Sequence, residues 1–237
     1  MGLGELPPSG NYRGYYHLDT DGTDSSGRGN NLINISNFCT FDTGKFGGAV
    51  STGTSGTSKG MTSSSTNIMS GVKPANCSVS LWMKFNSVAN KASSVIWSID
   101  TNGLATGSTF IFLYAITAGV LTVTAQQVLS TTAATVAYVF PSLPSTSDWI
   151  NFVITKNAST TVQININGIR VATNTGAGTE VGLTTGSNRF ILGNGRTAAQ
   201  QTFATYDELI VEERVWSDSE IRKYYTQSKG RFQTVNG

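Results

Sequence analysis

The sequence predicts an all-β fold of short antiparallel strands, closed by one short C-terminal helix. Three observations carry that expectation. Turn-forming clusters recur along the chain, among them "DSSGRGNN", "DTGKFGG", "NING" and "GNGR", and between them lie short runs rich in β-branched and aromatic residues. "CSVSLWMKF" alternates Cys77, Val79, Leu81, Met83 and Phe85 against Ser78, Ser80, Trp82 and Lys84, the period of two that marks a strand with one core face. Helical signals are confined to "SDSEIRKYYTQSKG" near the end. The length, 237 residues, suits one all-β domain spanning 1–237, with an arm at 1–12 and the helix at 217–229.

The elements follow in order. "GYYH" opens the first strand, and its His17 reads as a structural histidine. Residues 51–70, rich in Ser, Thr and Gly, read as a surface strand-loop-strand segment, because a linker there would strand a first domain too small for its own core. In "CSVSLWMKF" the outward side is expected to be half exposed around Trp82. "SVIWSID" and "TFIFLYAI" are continuously apolar, as in central strands covered on both faces. "WINFVITK" leads into "TVQININGIRVATN", where Asn167-Gly168 between alternating residues is the strongest hairpin signal in the chain. "RFILGN" and "ATYDELIVEERVW" supply the last strands. Strict alternation in the latter places Asp207, Leu209, Val211 and Glu213 on one face, and Tyr206, Glu208, Ile210 and Glu212 on the other. In the helix, Ser217 and Glu220 form a capping box, Gly230 ends it, and Ile221, Tyr224 and Tyr225 form the docking face.

Composition narrows the function. Only 13% of residues are charged and the formal net charge is +2, with no basic run interleaved with aromatics, so nucleic-acid binding is disfavoured. No stretch approaches the ~20 apolar residues that a membrane-spanning helix needs, and no N-terminal h-region follows a cationic segment. The chain therefore reads as made in a cytosol without an export signal. Cys39, Cys77 and His17 show no zinc or nucleophile spacing; the two cysteines read as buried thiols, with a disulfide between them as the alternative.

"GYYHLDTDGTDSSGRGNNL", "GKFGGAV", "CSVSLWMKF", "DWINFVITKNASTTVQININGIRVAT" and "YDELIVEERVWSDSEIRKYY" occur in an order that resembles the laminin-G-like subgroup of the concanavalin A-like lectin/glucanase sandwiches. The resemblance runs from about Gly14 to Tyr225. It implies a two-sheet antiparallel jelly roll. It also implies a structural calcium ion near the chain start, for which Asp207 matches the family's aspartate, and Asp24 and Asn30 lie in a turn like the family's Asp-rich one. The alternative for Asp24 and Asn30 is an Asx-type turn bonding backbone amides without metal.

Residues 206–225 hold six of the fourteen acidic side chains, which raises glycoside hydrolysis. A retaining glycosidase needs two carboxyl groups about 5–5.5 Å apart. Same-face spacing at ~3.3 Å per residue puts Asp207 and Glu213 ~20 Å apart and Glu208 and Glu212 ~13 Å apart, too far to share one bond. The chain is therefore expected to be non-catalytic. Its expected role is a surface or interaction module, first a tailed-phage virion protein in capsid decoration or host attachment, alternatively an extracellular carbohydrate-binding or adhesion module, and third a hydrolase. Expected partners are virion proteins, surface glycans or both, with a homo-oligomer left open, and the expected location is a virion or an extracellular surface. The pool of sugar-stacking aromatics is Trp82, Trp97, Trp149, Trp216, Tyr114 and Tyr138, with no subset distinguished.

Overall fold

A computed structural model describes residues 11–35, 39–53, 60–64, 68, 76–101, 108–127, 133–158, 160–176, 188–194 and 200–229. Within them lie fifteen strands and one helix: β1 (Tyr12–Tyr16), β2 (Leu32–Asn34), β3 (Thr40–Thr43), β4 (Gly48–Ser51), β5 (Met61–Ser63), β6 (Cys77–Phe85), β7 (Lys91–Thr101), β8 (Ser108–Thr117), β9 (Val120–Gln127), β10 (Ala134–Val139), β11 (Ile150–Lys156), β12 (Thr161–Ile166), β13 (Ile169–Thr175), β14 (Asn188–Leu192), β15 (Ala204–Glu212) and α1 (Asp218–Lys229). Sheet A runs β13-β12-β11-β6-β15-β4-β3, with β1 added on β15; sheet B runs β10-β9-β8-β7-β14-β5-β2. Every pairing is antiparallel. This is the two-sheet jelly-roll sandwich with one C-terminal helix that the sequence predicts.

Alternation builds the core between the sheets. Leu81, Met83 and Phe85 of β6 and Phe152 of β11 meet Trp97 of β7, Phe110, Phe112 and Tyr114 of β8, and Phe190 of β14. Trp97 stacks on Phe190 at 5.9 Å and meets Phe110 edge-on at 5.0 Å. Each fully buried ring of this kind contributes roughly 1.5–3 kcal/mol of transfer free energy. Cys39 and Cys77 both lie buried as thiols.

A second, smaller cluster sits on the outer face of sheet A, where Tyr15, Val153, Ile210, Trp216, Ile221 and Tyr224 pack α1 against the strands. The capping box forms as expected: the Ser217 amide donates to Glu220 Oε2 at 2.8 Å, and the Glu220 amide donates to Ser217 Oγ at 3.3 Å. Gly230 lies outside the described residues. Tyr225, half-buried on the same helix, stacks on Trp82 at 5.7 Å.

Three expectations need correction. Trp82 is not half exposed; it is 1% exposed, covered by Tyr225 and by the Lys45 ammonium 4.2 Å from its ring. Strand β8 is not covered on both faces: Phe110, Phe112, Tyr114 and Ile116 are buried, while Ile111, Leu113 and Ala115 between them are half exposed. With Thr122, Thr124, Ala137 and Val139 they form an outward surface without charge, since residues 101–147 contain no Asp, Glu, Lys, Arg or His.

The third correction concerns β15, which does not alternate strictly. Asp207 pairs with Trp82 and Ile210 with Ser80, so three steps along β15 match two along β6. The extra residue is a β-bulge, and Glu208 takes φ +50 within it, a conformation uncommon outside glycine. The bulge shifts the phase. Tyr206, Leu209 and Val211 face the core, while Ile210 joins the cluster under the helix. Asp207 thus parts from Leu209 and Val211, and both Asp207 and Glu208 find their partners away from the core.

The Asn167-Gly168 turn has φ of +51 and +80, as a type I′ hairpin requires. A Cβ on Gly168 would lie 3.0 Å from Tyr225, whereas one on Gly119, in the turn at Ala118-Gly119 with φ +77, would meet nothing within 4 Å. Both Gly→Ala variants incur the left-handed penalty of about 1–2 kcal/mol. Gly168→Ala is expected to lose about 1 kcal/mol more in chemical denaturation, because it also crowds the helix. Equal losses would show that Tyr225 moves aside without cost.

Candidate functional site

The acidic residues of β15 are structural anchors. Asp207 Oδ2 accepts the amides of Lys45 and Phe46 at 2.7 and 2.9 Å. Glu208 accepts the Tyr15 hydroxyl at 2.9 Å and faces His17 Nδ1 at 3.1 Å. That bond to Glu208 holds the His17 imidazole above its ordinary pKa. Glu212, wholly buried, bonds Arg214 Nε at 2.8 Å and the Trp216 indole N–H. Glu213 pairs with Arg13, and Glu220 with Arg214 at 2.8 Å.

The calcium candidates separate. Asp24 Oδ1 accepts the amides of Tyr15 at 3.0 Å and Ser26 at 2.9 Å, and Oδ2 accepts the amide of Asn30 at 2.9 Å. Asn30 Nδ2 donates to the Arg13 carbonyl, and its own carbonyl accepts the Tyr16 hydroxyl at 2.7 Å. These are amide donors around a carboxylate, an Asx-type loop, and the donor set does not fit a cation that wants ~6–8 oxygens. Asp207 serves a different turn, at 44–48. Its Oδ1 is buried without a hydrogen-bond partner among the described residues, an oxygen of the kind a cation takes. Among the described residues no group of three or more His, Cys, Asp or Glu side chains is arranged to hold a metal.

Of the six aromatics in the candidate pool, Trp82, Trp97, Trp216 and Tyr114 are at most 1% exposed, and Tyr138 packs against the core. Trp149 differs. It is half-buried at the end of the β10–β11 loop, and it borders a cleft of about 570 Å³ lined by Lys45, Phe140, Pro141, Ser142, Pro144, Ser147, Asp148, Trp149, Ile150 and Asn167. The Lys84 ammonium lies 5.2 Å from its ring centroid.

Local chemistry explains why these residues meet. Lys84 precedes the end of β6, whose Met83 pairs with Ile150, so Trp149 falls beside Lys84 at the same end of sheet A. The loop between β10 and β11 carries Pro141 and Pro144, which limit its backbone freedom, and Asp148 Oδ2 accepts the Ser145 amide at 3.0 Å to close a turn. Asn167 Oδ1 accepts the Asn151 amide at 2.9 Å, tying the hairpin tip to the start of β11. Lys45 is placed by the Asp207 bond to its amide, and burial lowers its ammonium pKa. The register partners Trp82 and Asn151 keep Nε1 and Oδ1 buried without hydrogen-bond partners among the described residues. An aromatic ring framed by amines, amides and hydroxyls can stack on an apolar ring face and address hydroxyl groups.

Lys45, Lys84, Asp148 and Asn167 escape sequence reasoning. The available signal is "FPSLPSTSDW", a proline-stiffened loop that ends on a tryptophan.

Similar structures share this architecture. Domain 4 of AbnA, a GH43 extracellular arabinanase from Geobacillus stearothermophilus solved with arabinotriose, is 17% identical with a TM-score of 0.60, covering 91% of this chain and 98% of that chain. The ligand-binding domain of botulinum neurotoxin serotype D, solved with N-acetylneuraminic acid, is 16% identical with a TM-score of 0.66, covering 91% of this chain and 50% of that one. The binding domain of Paraclostridial Mosquitocidal Protein 1 is 15% identical with a TM-score of 0.62, covering 91% and 52%. The chain thus spans about half the length of these toxin domains, and at such identities the likeness is one of fold. No curated protein matches the chain in sequence. Residues 55–222 match the Laminin_G_3 family model, described as the concanavalin A-like lectin/glucanases superfamily. With most of its length in that match and the jelly roll in place, the chain belongs to the Laminin_G_3 family of the concanavalin A-like lectin/glucanases superfamily.

Proposed function

We propose that the chain is a non-catalytic glycan-binding module acting at an extracellular or exposed surface, with the Trp149 cleft as its binding site. The observation that carries this reading is the placement of Trp149: it alone among the four tryptophans is not buried, and it stands in a cleft edged by amines, amides and hydroxyls. Among the described residues Asp148 is the one carboxylate lining the cleft, and it closes a turn. Glycoside hydrolysis with two protein carboxyl groups therefore has no pair there. The solved relatives point the same way, since one holds arabinotriose and another N-acetylneuraminic acid. The order of the two sequence-based readings is thereby reversed: the carbohydrate-binding module comes first, and capsid decoration or fibre attachment in a phage virion has no structural observation in its favour. Among the described residues no helix is long and apolar enough to cross a membrane.

Trp149→Ala is expected to weaken binding on a panel of immobilised oligosaccharides by about tenfold or more, the usual effect of removing an aromatic anchor. Thermal stability should change little, because the ring lies outside the core. Unchanged binding in Trp149→Ala would remove the cleft from consideration, and reducing-sugar release from any polysaccharide would overturn the non-catalytic reading.

Structural calcium we assign to Asp207, not to the Asp24–Asn30 loop. Burial, opposed by the two backbone amides, raises the Asp207 pKa to about 7. Between the unfolded carboxylate value near 4 and about 7, the folded chain keeps a proton that the unfolded chain has shed. In the absence of calcium, stability should therefore fall as pH rises through that window, by up to about 1.4 kcal/mol per unit, and level off above it. Asp207→Asn should flatten that slope and raise the melting temperature at pH 8 in chelator. Millimolar calcium at pH 8 should stabilise the wild type and not Asp207→Asn, while Asp24→Asn should be destabilised equally with and without calcium. A wild type indifferent to both calcium and chelator would remove the metal.

A further inference from the structure

Granted the glycan-binding reading, the stacking ring must be held still, and Trp149 lacks what holds the other three tryptophans. Trp82, Trp97 and Trp216 are fixed by burial, each at most 1% exposed. Trp149 is half-buried, stands just before β11 and follows the exposed loop residues 145–148. A tryptophan side chain turns about two torsions, and the outer one has broad minima. Ordering such a side chain only when a sugar arrives weakens binding, so a ring already fixed in place binds more tightly.

The fixing contact comes from the neighbouring strand. Met83 of β6 pairs with Ile150 of β11, so one step further along the ladder Lys84 stands opposite Trp149. Lys84 lies two residues from Trp82, which places it on the same outer face of sheet A. Its ammonium is 5.2 Å from the centroid of the Trp149 ring, inside the ~6 Å range of a cation–π contact. On the other side the cross-strand partner of Lys84 is Thr205, which is uncharged. Among the described residues no carboxylate pairs with the Lys84 ammonium, and no aromatic ring or second cation stands against the indole. Strand β6 is flanked by β11 and β15, so the charge is carried inside the sheet and not by the loop that leads to the ring. Among the described residues that line the cleft Trp149 is present and Lys84 is not, so the ammonium braces the indole from outside it.

We infer that Lys84 is a positioning residue for glycan binding: its ammonium, anchored on β6, fixes the Trp149 ring in the orientation on which a sugar stacks. Arginine supplies the same cation to a ring face, so the role survives Lys84→Arg. It ends with Lys84→Met, which keeps an unbranched stem without the charge.

The test labels the full chain with fluorotryptophan, whose four fluorine resonances include one that disappears in Trp149→Phe and so reports this ring. In Lys84→Met that resonance should sharpen and move toward the position of the free amino acid, while Lys84→Arg should hold it near its wild-type place. The other three resonances should stay put, which shows that the variants fold. Isothermal titration with arabinotriose and with N-acetylneuraminic acid supplies the second readout. A probe whose binding is lost in Trp149→Ala should bind Lys84→Met about two- to fivefold more weakly, the effect of one cation–π contact at a partly exposed site, and Lys84→Arg should restore it. An unmoved Trp149 resonance in Lys84→Met would overturn the inference and keep the glycan reading. So would a moved resonance with unchanged affinity, or an equal loss of affinity in Lys84→Met and Lys84→Arg. Failure of both probes to bind, or binding indifferent to Trp149→Ala, would overturn the glycan reading of the cleft and with it the role of Lys84.

Discussion

Burying three carboxylates on one strand is the constraint around which sheet A is organised. Every residue of β15 is buried, yet Asp207, Glu208 and Glu212 lie on it. A buried carboxylate without partners is costly, so each must recruit donors. Asp207 recruits the amides at the start of the 44–48 turn. Glu208 recruits Tyr15 and His17 beside β1. Glu212 recruits Arg214 and Trp216 where the chain turns into α1. One strand thereby fastens three distant segments, and the bulge at Glu208 is what brings two of these acids clear of the core.

The cleft is a by-product of that fastening. The Lys45 backbone is held by Asp207, and its ammonium lies over the Trp82 ring. The helix covers the outer face as far as Tyr225 on Trp82. Beyond that point the proline-bearing loop and the hairpin tip at Asn167 frame the surface, and Trp149 stands among them. Position and charge of the cleft thus descend from buried polar bonds elsewhere in the sheet. A glycan-binding reading needs no carboxylate of β15 to act on substrate.

Much of this was legible in the sequence where local chemistry decides the outcome. The period of two in "CSVSLWMKF", the Asn167-Gly168 turn and the Ser217–Glu220 capping box each report their structure through neighbouring residues alone, and each appears as expected. The bulge was illegible, because "YDELIVEE" reads as plain alternation and only pairing with β6 reveals the extra residue. Trp82 misled for a related reason: its cover comes from Lys45 and Tyr225, which lie far from it in sequence. Choosing Trp149 from the aromatic pool likewise required knowing which rings the second sheet and the helix conceal. The Asp24 loop was legible as an Asx turn or a metal loop alike, since both use the same residues, and the amides that converge on Asp24 are those of the Asx reading.

The uncharged span from 101 to 147 bears on how the molecule behaves at a distance. All thirty Lys, Arg, Asp and Glu side chains lie outside it, so β8, β9 and β10 present to solvent a face that exerts almost no long-range field. The protein is electrically lopsided. Whatever long-range field the protein exerts comes from the rest of the chain, and ionic strength screens it over a Debye length of about 8 Å at physiological salt. A contact made through the uncharged face depends on shape, apolar area and hydrogen bonds, and salt leaves it nearly unchanged.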